Sequence, residues 1–182
     1  MLMMEETLLL PRSIEPQKLI YQDPARKIYK VLARFDGFHK EYYVADTGPR
    51  AAVLVLRRQD VLFVKQYRLL LNDLSYEIPG GKPEKGETPR RTAIRECLEE
   101  TGVRCRKLKS LLSYHPGLDT LRNYTSVFYS EEAQEMASQD PARRVWIPLA
   151  QSIQMIFSRQ ILDSLSIIAL LAYHTKLNGH AR

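Results

Sequence analysis

The feature that most constrains this chain is the segment of residues 81–103, in which a glycine-containing loop leads into a short helix with clear ends. Thr88 is a suitable N-cap, and Pro89 suits the first helical position. Gly102 suits the left-handed residue that often follows the last helical turn. These local signals predict a helix that begins at Pro89 and ends just before Gly102.

Three carboxylates share one face of this predicted helix. At about 100° per residue, Glu96, Glu99 and Glu100 fall within an arc of about 100°, and the apolar residues occupy a separate arc. Acidic side chains at this spacing repel one another, and the C-terminal end of a helix already carries partial negative charge. A hard divalent cation with oxygen ligands, Mg²⁺ or alternatively Mn²⁺, would relieve this conflict. The alternative is a solvated acidic face that Arg95 and nearby lysines neutralise.

The whole spacing supports the cation site over the solvated face. From Gly81 it runs through five residues to Glu87, seven to Arg95 and Glu96, an apolar and a free position to Glu99 and Glu100, and then Gly102 and Val103. This pattern resembles the signature box of the Nudix hydrolase superfamily. The one mild departure is Cys97, where a larger aliphatic residue is commoner. Cysteine behaves as a small buried hydrophobe, so the resemblance is not damaged.

The resemblance implies a hydrolase of nucleoside diphosphates linked to another group, in which a metal-activated water attacks phosphorus. The residues that match the family's metal ligands are Gly80 through its carbonyl, Glu96, Glu99 and Glu100. The residues matching Glu87 and Arg95 form an ion pair in the family, which orients the loop and the helix.

Flanking segments narrow the resemblance to the ADP-ribose pyrophosphatase branch. They are residues 64–68 (VKQYR), residues 76–81 (YEIPGG) and Pro116-Gly117, and the similarity covers residues 18–175. The sequence departs from the pattern of this branch in two places, and both affect the expected substrate rather than the reaction class. Pro116 lies closer to the box than is usual, and the acidic residues that commonly follow it are replaced by residues 118–121 (LDTL).

Three residues are assigned to substrate binding. Arg68 matches an arginine that contacts substrate phosphate or sugar in this branch, and its fork suits a diphosphate. The alternative for Arg68 is an exposed strand-end arginine. Glu77 is expected either to face the metal cluster or to hydrogen-bond the loop backbone. Gly81 belongs to the loop itself.

The general base is the most open assignment. The resemblance places it within residues 130–143, a predicted loop whose candidates are Glu132, Glu135 and Asp140. Asp140 fits best by its placement, eight residues before Pro148. Solvated loop charges, Glu99, or a metal-bound hydroxide without a dedicated base are the alternatives. His115 is a weaker candidate, and a turn histidine is its alternative reading.

Outside the box, strands precede the catalytic helix, and further strands and two helices follow it. The predicted strands are Lys18–Gln22, Lys27–Arg34 and residues 40–45, 51–56, 61–66, 74–78, 108–114, 124–129 and 144–147. The last helix, residues 164–177, is apolar around much of its circumference and should be buried against the domain or a partner subunit. The predicted fold is therefore α/β, a Nudix-type mixed sheet between helices with an N-terminal antiparallel strand region. The predicted divisions are residues 1–17 (tail), 18–50 (strand region) and 51–182 (catalytic domain).

Composition is compatible with this reading. The 182 residues suffice for one substantial core, and the net charge of +6 favours anionic ligands. The basic residues are scattered, so nucleic acid is not an expected partner. Two cysteines make no disulfide framework, and we expect neither a signal peptide nor a membrane span. A reducing, cytoplasmic location is predicted.

The first hypothesis for function is a metal-dependent pyrophosphohydrolase acting on ADP-ribose or a related nucleoside diphosphate sugar, which yields a nucleoside monophosphate and a sugar phosphate. Two alternatives remain. One is hydrolysis of nucleoside triphosphates or other nucleoside diphosphate derivatives, and the other is a non-catalytic nucleotide sensor, against which the complete carboxylate set argues. A homodimer is predicted, because the closing helix is very apolar and the N-terminal strands exceed a minimal catalytic domain.

Overall fold

The computed structural model describes residues 10–136 and 143–179. Its strands are β1 (Ser13–Ile14), β2 (Lys18–Gln22), β3 (Lys27–Arg34), β4 (His39–Asp46), β5 (Arg50–Arg57), β6 (Asp60–Arg68), β7 (Asp73–Glu77), β8 (Gly80–Gly81), β9 (Val103–Arg106), β10 (Lys109–Tyr114), β11 (Leu121–Arg122), β12 (Thr125–Ser130), β13 (Glu132–Glu135) and β14 (Arg144–Pro148). Its helices are α1 (Pro89–Thr101), α2 (Leu149–Phe157) and α3 (Ser164–Gly179). The chain divides into two compact units, an N-terminal unit (Met1–Pro49 and His115–Tyr124) and a main unit (Arg50–Tyr114 and Thr125–Arg182).

The N-terminal unit is a small sheet built around the β3–β4 hairpin. The strand order is β1-β3-β4-β11, and β2 also pairs with β3. The hairpin turns at Asp36-Gly37, where Gly37 has a φ of 81°, a value that glycine adopts without strain. The short strand β11 runs parallel to β4. The three strands predicted for residues 18–45 are therefore present.

The main unit contains a mixed sheet in the order β10-β12-β5-β6-β14, with β7 beside β6 and β8 beside β5. Strands β5 and β12 are parallel, and the neighbouring pairs are antiparallel. The predicted fold class, an α/β Nudix-type mixed sheet between helices with an N-terminal antiparallel region, is confirmed.

Alternation along β5 explains why helices cover both faces of this sheet. Ala51, Val53 and Val55 point into one apolar cluster, which also contains Ala93 and Cys97 of α1. The intervening residues of β5 point into a second cluster, which also contains residues of α2 and α3. Side chains in a strand alternate between faces, so a strand that is apolar at every position is buried on both sides.

Helix α1 has the ends that its sequence predicts. Thr88 is extended, and its hydroxyl accepts a hydrogen bond from the Arg91 N–H at 3.4 Å. Pro89 occupies the first turn. Gly102 adopts the left-handed conformation with a φ of 67°, and its N–H donates to the Leu98 carbonyl at 2.9 Å. The helix is thereby fixed in length at the end that carries the carboxylates.

One prediction about secondary structure is wrong. Residues 130–143 were expected to form a loop, but β13 lies within them and pairs antiparallel with β9. Both strands are only four residues long, and β13 is polar. Its pairing comes from backbone hydrogen bonds to a distant segment, which no local apolar pattern signals.

The last helix is anchored within its own unit. Its buried apolar side chains belong to the second cluster, and they are Leu165, Ala169, Leu170 and Tyr173. Leu171 and Leu177 remain partly exposed. No helix in the described part of the chain is long and apolar enough to cross a membrane.

Candidate active site

The loop before α1 is pinned between a strand and the helix because it contains glycines. Gly80 and Gly81 pair with Ala52 and Ala51 of β5. A Cβ on Gly80 would lie 2.5 Å from the Ala52 Cβ and 2.7 Å from the Ala51 carbonyl oxygen, and a Cβ on Gly81 would overlap the Glu96 carboxylate. The glycines are therefore needed for close approach, and they bring the loop backbone against the acidic face of α1.

Arg95 is the centre of one half of the site. Its guanidinium donates to both oxygens of Glu87 at 3.0 and 3.1 Å, to Glu96 at 3.0 Å, to Glu99 at 2.9 Å and to the Lys82 carbonyl at 3.0 Å. We refer to Arg95 with Glu87, Glu96 and Glu99 as the Arg95 cluster. One arginine thus ties the loop to the helix and neutralises part of the acidic face.

The Arg95 cluster changes the acidity of its members. The hydrogen bonds from Arg95 lower the pKa of Glu87 to about 2, with further help from the Glu84 backbone and the Thr92 hydroxyl. The same contact with Glu87 raises the pKa of Arg95. Glu87 is therefore ionised throughout the neutral range, as an orienting ion pair requires.

Glu100 lies in a different environment, which we call the Glu100 pocket (Glu100, Gln66 and Gly80). Its carboxylate accepts hydrogen bonds from the Gln66 amide at 2.7 Å and from the Gly80 N–H at 3.0 Å. Burial raises the pKa of Glu100, these two donors oppose that shift, and the charge of Glu96 adds to it. Glu100 is thus a partly buried acid whose hydrogen-bond donors are neutral.

The residues on this face suit a divalent cation by their chemistry, although they are not grouped around one point. Within residues 10–136 and 143–179, no three His, Cys, Asp or Glu side chains are clustered as a metal ion requires. Arg95 holds Glu96 and Glu99, and Glu100 faces the loop. The Gly80 carbonyl, predicted as a ligand, accepts from Arg50 at 3.4 Å. The burial of Glu100 and its repulsion by Glu96 are the features that a hard cation would relieve.

Arg68 and Glu77, both predicted to bind substrate, are bound to each other. The guanidinium donates to the two carboxylate oxygens at 2.6 and 2.5 Å. Glu77 is only 6% exposed, whereas Arg68 is partly exposed. The pair raises the pKa of Arg68, and Asp163 contributes to the same shift. Glu77 therefore orients Arg68, whose remaining edge can meet a ligand.

A model of the NUDIX domain matches residues 46–164, a span that includes the loop, α1 and the main sheet. The chain belongs to the Nudix family. The predicted family, its ADP-ribose pyrophosphatase branch and the enzyme class of Nudix pyrophosphohydrolase are confirmed.

Individual relatives agree with this placement. The chain is 33% identical over 137 residues to the methanol dehydrogenase activator of Bacillus methanolicus, covering 72% of this chain and 74% of that protein. It is 29% identical to the ADP-ribose pyrophosphatase of Bacillus subtilis, with the same shares. A solved structure of an ADP compounds hydrolase superposes with a TM-score of 0.79 at 16% identity, covering 95% of this chain and 97% of that one. The last similarity shows the fold.

The candidate bases of this Nudix protein are placed differently from one another. Glu132 pairs with Lys107 at 2.6 Å. Glu135 accepts from Arg57, from Arg144 at 3.2 Å and from the Trp146 indole at 3.2 Å. Asp140 lies outside the described residues. Neither Glu132 nor Glu135 contacts the acidic face of α1 in these interactions, so both have structural partners instead.

The remaining candidate, His115, belongs to the N-terminal unit, where its ring packs against Tyr124 with centroids 5.0 Å apart. Sequence reasoning missed Gln66 and Arg50 as neighbours of the acidic face. A signal existed for Gln66, since it continues the alternation from Leu62 and Val64 toward the face that α1 covers.

Proposed function

We propose that this Nudix protein hydrolyses the diphosphate bond of ADP-ribose or a related nucleoside diphosphate sugar, giving a nucleoside monophosphate and a sugar phosphate. The observation that carries the proposal is the acidic face of α1 pressed against the Gly80-Gly81 loop, with the oriented Arg68 in the same unit. Two relatives named ADP-ribose pyrophosphatase, from Bacillus subtilis and Mycobacterium tuberculosis, support the choice of substrate.

The reaction needs a divalent cation, for which we propose Mg²⁺, with Mn²⁺ as the alternative. The ligands would be Glu96, Glu99, Glu100 and the Gly80 carbonyl. Such an ion polarises phosphoryl oxygens and lowers the pKa of bound water. Arg95 and Glu87 hold the loop on the helix, and Arg68 offers a fork that suits a phosphate. Asp140 stays the proposed base, and Gly81 is proposed to approach the substrate through its backbone.

Hydrolysis of another nucleoside diphosphate derivative is the second candidate. It is supported by 29% identity over 131 residues to a Streptomyces rubellomurinus protein named as a hydrolase of a CMP-linked phosphonate. Nucleoside triphosphates and a non-catalytic sensor are the less favoured alternatives.

A panel of nucleotide sugars and triphosphates, each with Mg²⁺ and with Mn²⁺, tests the proposal by product chromatography. We expect ADP-ribose to yield AMP and ribose 5-phosphate, and a chelator to abolish the reaction. Hydrolysis of triphosphates alone would refute the proposed substrate, and hydrolysis that persists in the chelator would refute the role of the cation.

We also propose that the protein is a homodimer in the cytoplasm, with residues 18–50 as a strand region and residues 51–182 as the catalytic domain. Exposed apolar side chains on β2, namely Leu19, Ile20 and Tyr21, support an interface there. The two buried free thiols suit a reducing compartment. Light scattering at low micromolar concentration tests the dimer, because one chain has a mass of 21.1 kDa.

A further inference from the structure

Arg50 differs from the other arginines of the site in its hydrogen bonding. It begins β5, next to the residues that pair with Gly80 and Gly81. Its Nη2 donates to the Gly80 carbonyl at the long distance of 3.4 Å, and its Nε is buried without a hydrogen-bond partner. In the described part of the chain, Thr47 Oγ1 is the other buried side-chain atom that has no hydrogen-bond partner.

The unsatisfied Nε of Arg50 carries an energetic cost. A guanidinium is always charged, and a buried donor that bonds to nothing is destabilising. Arg95 and Arg68 each form ion pairs with carboxylates, but no ion pair among the described residues includes Arg50. Arg50 thus places a positive charge at the loop, and its Nε can still donate a hydrogen bond.

Arg50 is also close to the acidic face of α1. The Gly80 carbonyl accepts a hydrogen bond from Arg50 at 3.4 Å, and the Gly80 N–H donates to Glu100 at 3.0 Å. Arg50 therefore lies near the Glu100 pocket without neutralising it through a direct ion pair. An anionic oxygen at this point would accept from the free Nε and would lie beside the loop.

We propose that Arg50 binds a non-bridging oxygen of the substrate's diphosphate and positions that group beside Gly80 and Glu100. The inference rests on the proposed function, since it assigns one phosphate contact of that site. It names a residue that binds substrate rather than one that transfers a proton.

The test compares the full-length wild type with Arg50→Gln and Arg50→Lys, using α,β-methylene-ADP as a non-hydrolysable probe in calorimetry. We expect Arg50→Gln to raise the Kd roughly tenfold or more, the effect of losing one charge-assisted hydrogen bond. Arg50→Lys keeps the charge but loses the fork, so its Kd should rise less. Arg58→Gln is the matched control, because Arg58 is an exposed arginine in the turn after β5, and its Kd should equal that of the wild type.

Kinetics with ADP-ribose and Mg²⁺ provide the second readout. The KM of Arg50→Gln should rise in parallel with the Kd while kcat changes less than about threefold, as expected for loss of uniform binding. If Arg50 only supports the loop, the melting temperature falls and the Kd is unchanged, which overturns the proposal. If Arg50→Gln does not fold, Arg50→Lys decides, since an unchanged Kd in that variant also overturns it.

The binding experiment separates this inference from the proposed function. Failure of the wild type to hydrolyse any nucleotide sugar, together with the expected ratio of Kd values, would refute the function and keep Arg50 as a diphosphate contact. Normal hydrolysis with equal Kd and KM in wild type and Arg50→Gln would refute the Arg50 assignment alone. Absence of probe binding by the wild type would refute it as well.

Discussion

The two halves of the acidic face differ in how their charge is balanced. In the Arg95 cluster, one guanidinium contacts three carboxylates at about hydrogen-bond distance, and the pKa of Glu87 falls. In the Glu100 pocket, the donors to the carboxylate among residues 10–136 and 143–179 are neutral, namely Gln66 and a backbone N–H, and the pKa of Glu100 rises. Each carboxylate of the first half therefore has a cationic partner. The second half carries a partly buried carboxylate whose hydrogen-bond donors are neutral.

Within a single motif, this difference separates acids that already have a cationic partner from an acid that has neutral hydrogen-bond donors. An acid that already has an arginine partner is partly neutralised, so a metal ion changes its environment less than that of an acid without such a partner. A buried acid with no cationic partner is destabilising, and such groups concentrate at functional sites. We infer that the Arg95 cluster shapes the loop and that the Glu100 pocket is where a cation has most effect. Four predictions test this division, in order of expected effect.

The largest effect is expected for Glu100→Gln. The amide keeps the shape but removes the charge that would attract the ion, so kcat/KM for ADP-ribose should fall roughly 10³-fold or more. Steady-state kinetics at saturating Mg²⁺ check this. Glu131→Gln is the control, because Glu131 contacts Lys109 and Tyr173 instead and should leave turnover unchanged. Near-normal turnover of Glu100→Gln would contradict the division.

Arg95→Ala should lower both stability and activity. Removing the guanidinium leaves three acids without their partner, which we expect to cost about 1–3 kcal/mol in the absence of metal, between the values for surface and buried pairs. Mg²⁺ should raise the melting temperature of this variant more than that of the wild type, since the ion replaces the lost positive charge. Equal metal-induced shifts in both proteins would show that the cluster and the ion do not share these carboxylates.

Gly80→Ala and Gly81→Ala should have different consequences. A Cβ at Gly80 meets the backbone of β5, which cannot move aside, so we expect a stability loss of about 1–3 kcal/mol. A Cβ at Gly81 meets the end of the Glu96 side chain, which can rotate away. Chemical denaturation should therefore show a smaller loss for Gly81→Ala, while kinetics show reduced activity. The reverse order of stabilities would refute the assignment of the two contacts.

The smallest effect concerns pH. The pKa of Glu87 is about 2, below its ordinary value of 4.5, so its contribution to stability is complete above about pH 4.5 and is lost as the pH falls toward about 2. The metal-free wild type and Glu87→Gln should therefore differ most in melting temperature near pH 6 and converge near pH 2. A constant difference across this range would mean that the ion pair with Arg95 does not control stability.

Local features of the site could be predicted from the sequence. The helix ends at Thr88 and Gly102 depend on backbone preferences within a few residues, and the alignment of the three acids on α1 follows from helical periodicity alone. The two-sided burial of β5 likewise follows from its unbroken apolar run. These features are local, so a single sequence contains the information for them.

The contacts that distinguish the two halves are not local. Gln66 reaches Glu100 from β6, and Arg50 reaches the loop from β5, at sequence separations of 34 and 30 residues. Such contacts depend on strand order and register. The Arg68–Glu77 pair similarly requires the register of β6 and β7. The polar strand β13 depends on antiparallel pairing with β9, which is distant in sequence. Sequence reasoning identified Arg68 and Glu77 separately but could not predict that they bind each other.

Titration of Mn²⁺ into the full-length protein, followed by electron paramagnetic resonance, tests the central claim most directly, because it detects the ion without turnover. The claim is that the carboxylates of α1 bind a divalent cation and that Glu100 is essential for this binding. We expect saturable binding by the wild type, at least roughly tenfold weaker binding by Glu100→Gln, and wild-type affinity in Glu131→Gln. Absence of binding by the wild type, or equal affinity in Glu100→Gln, would contradict the claim.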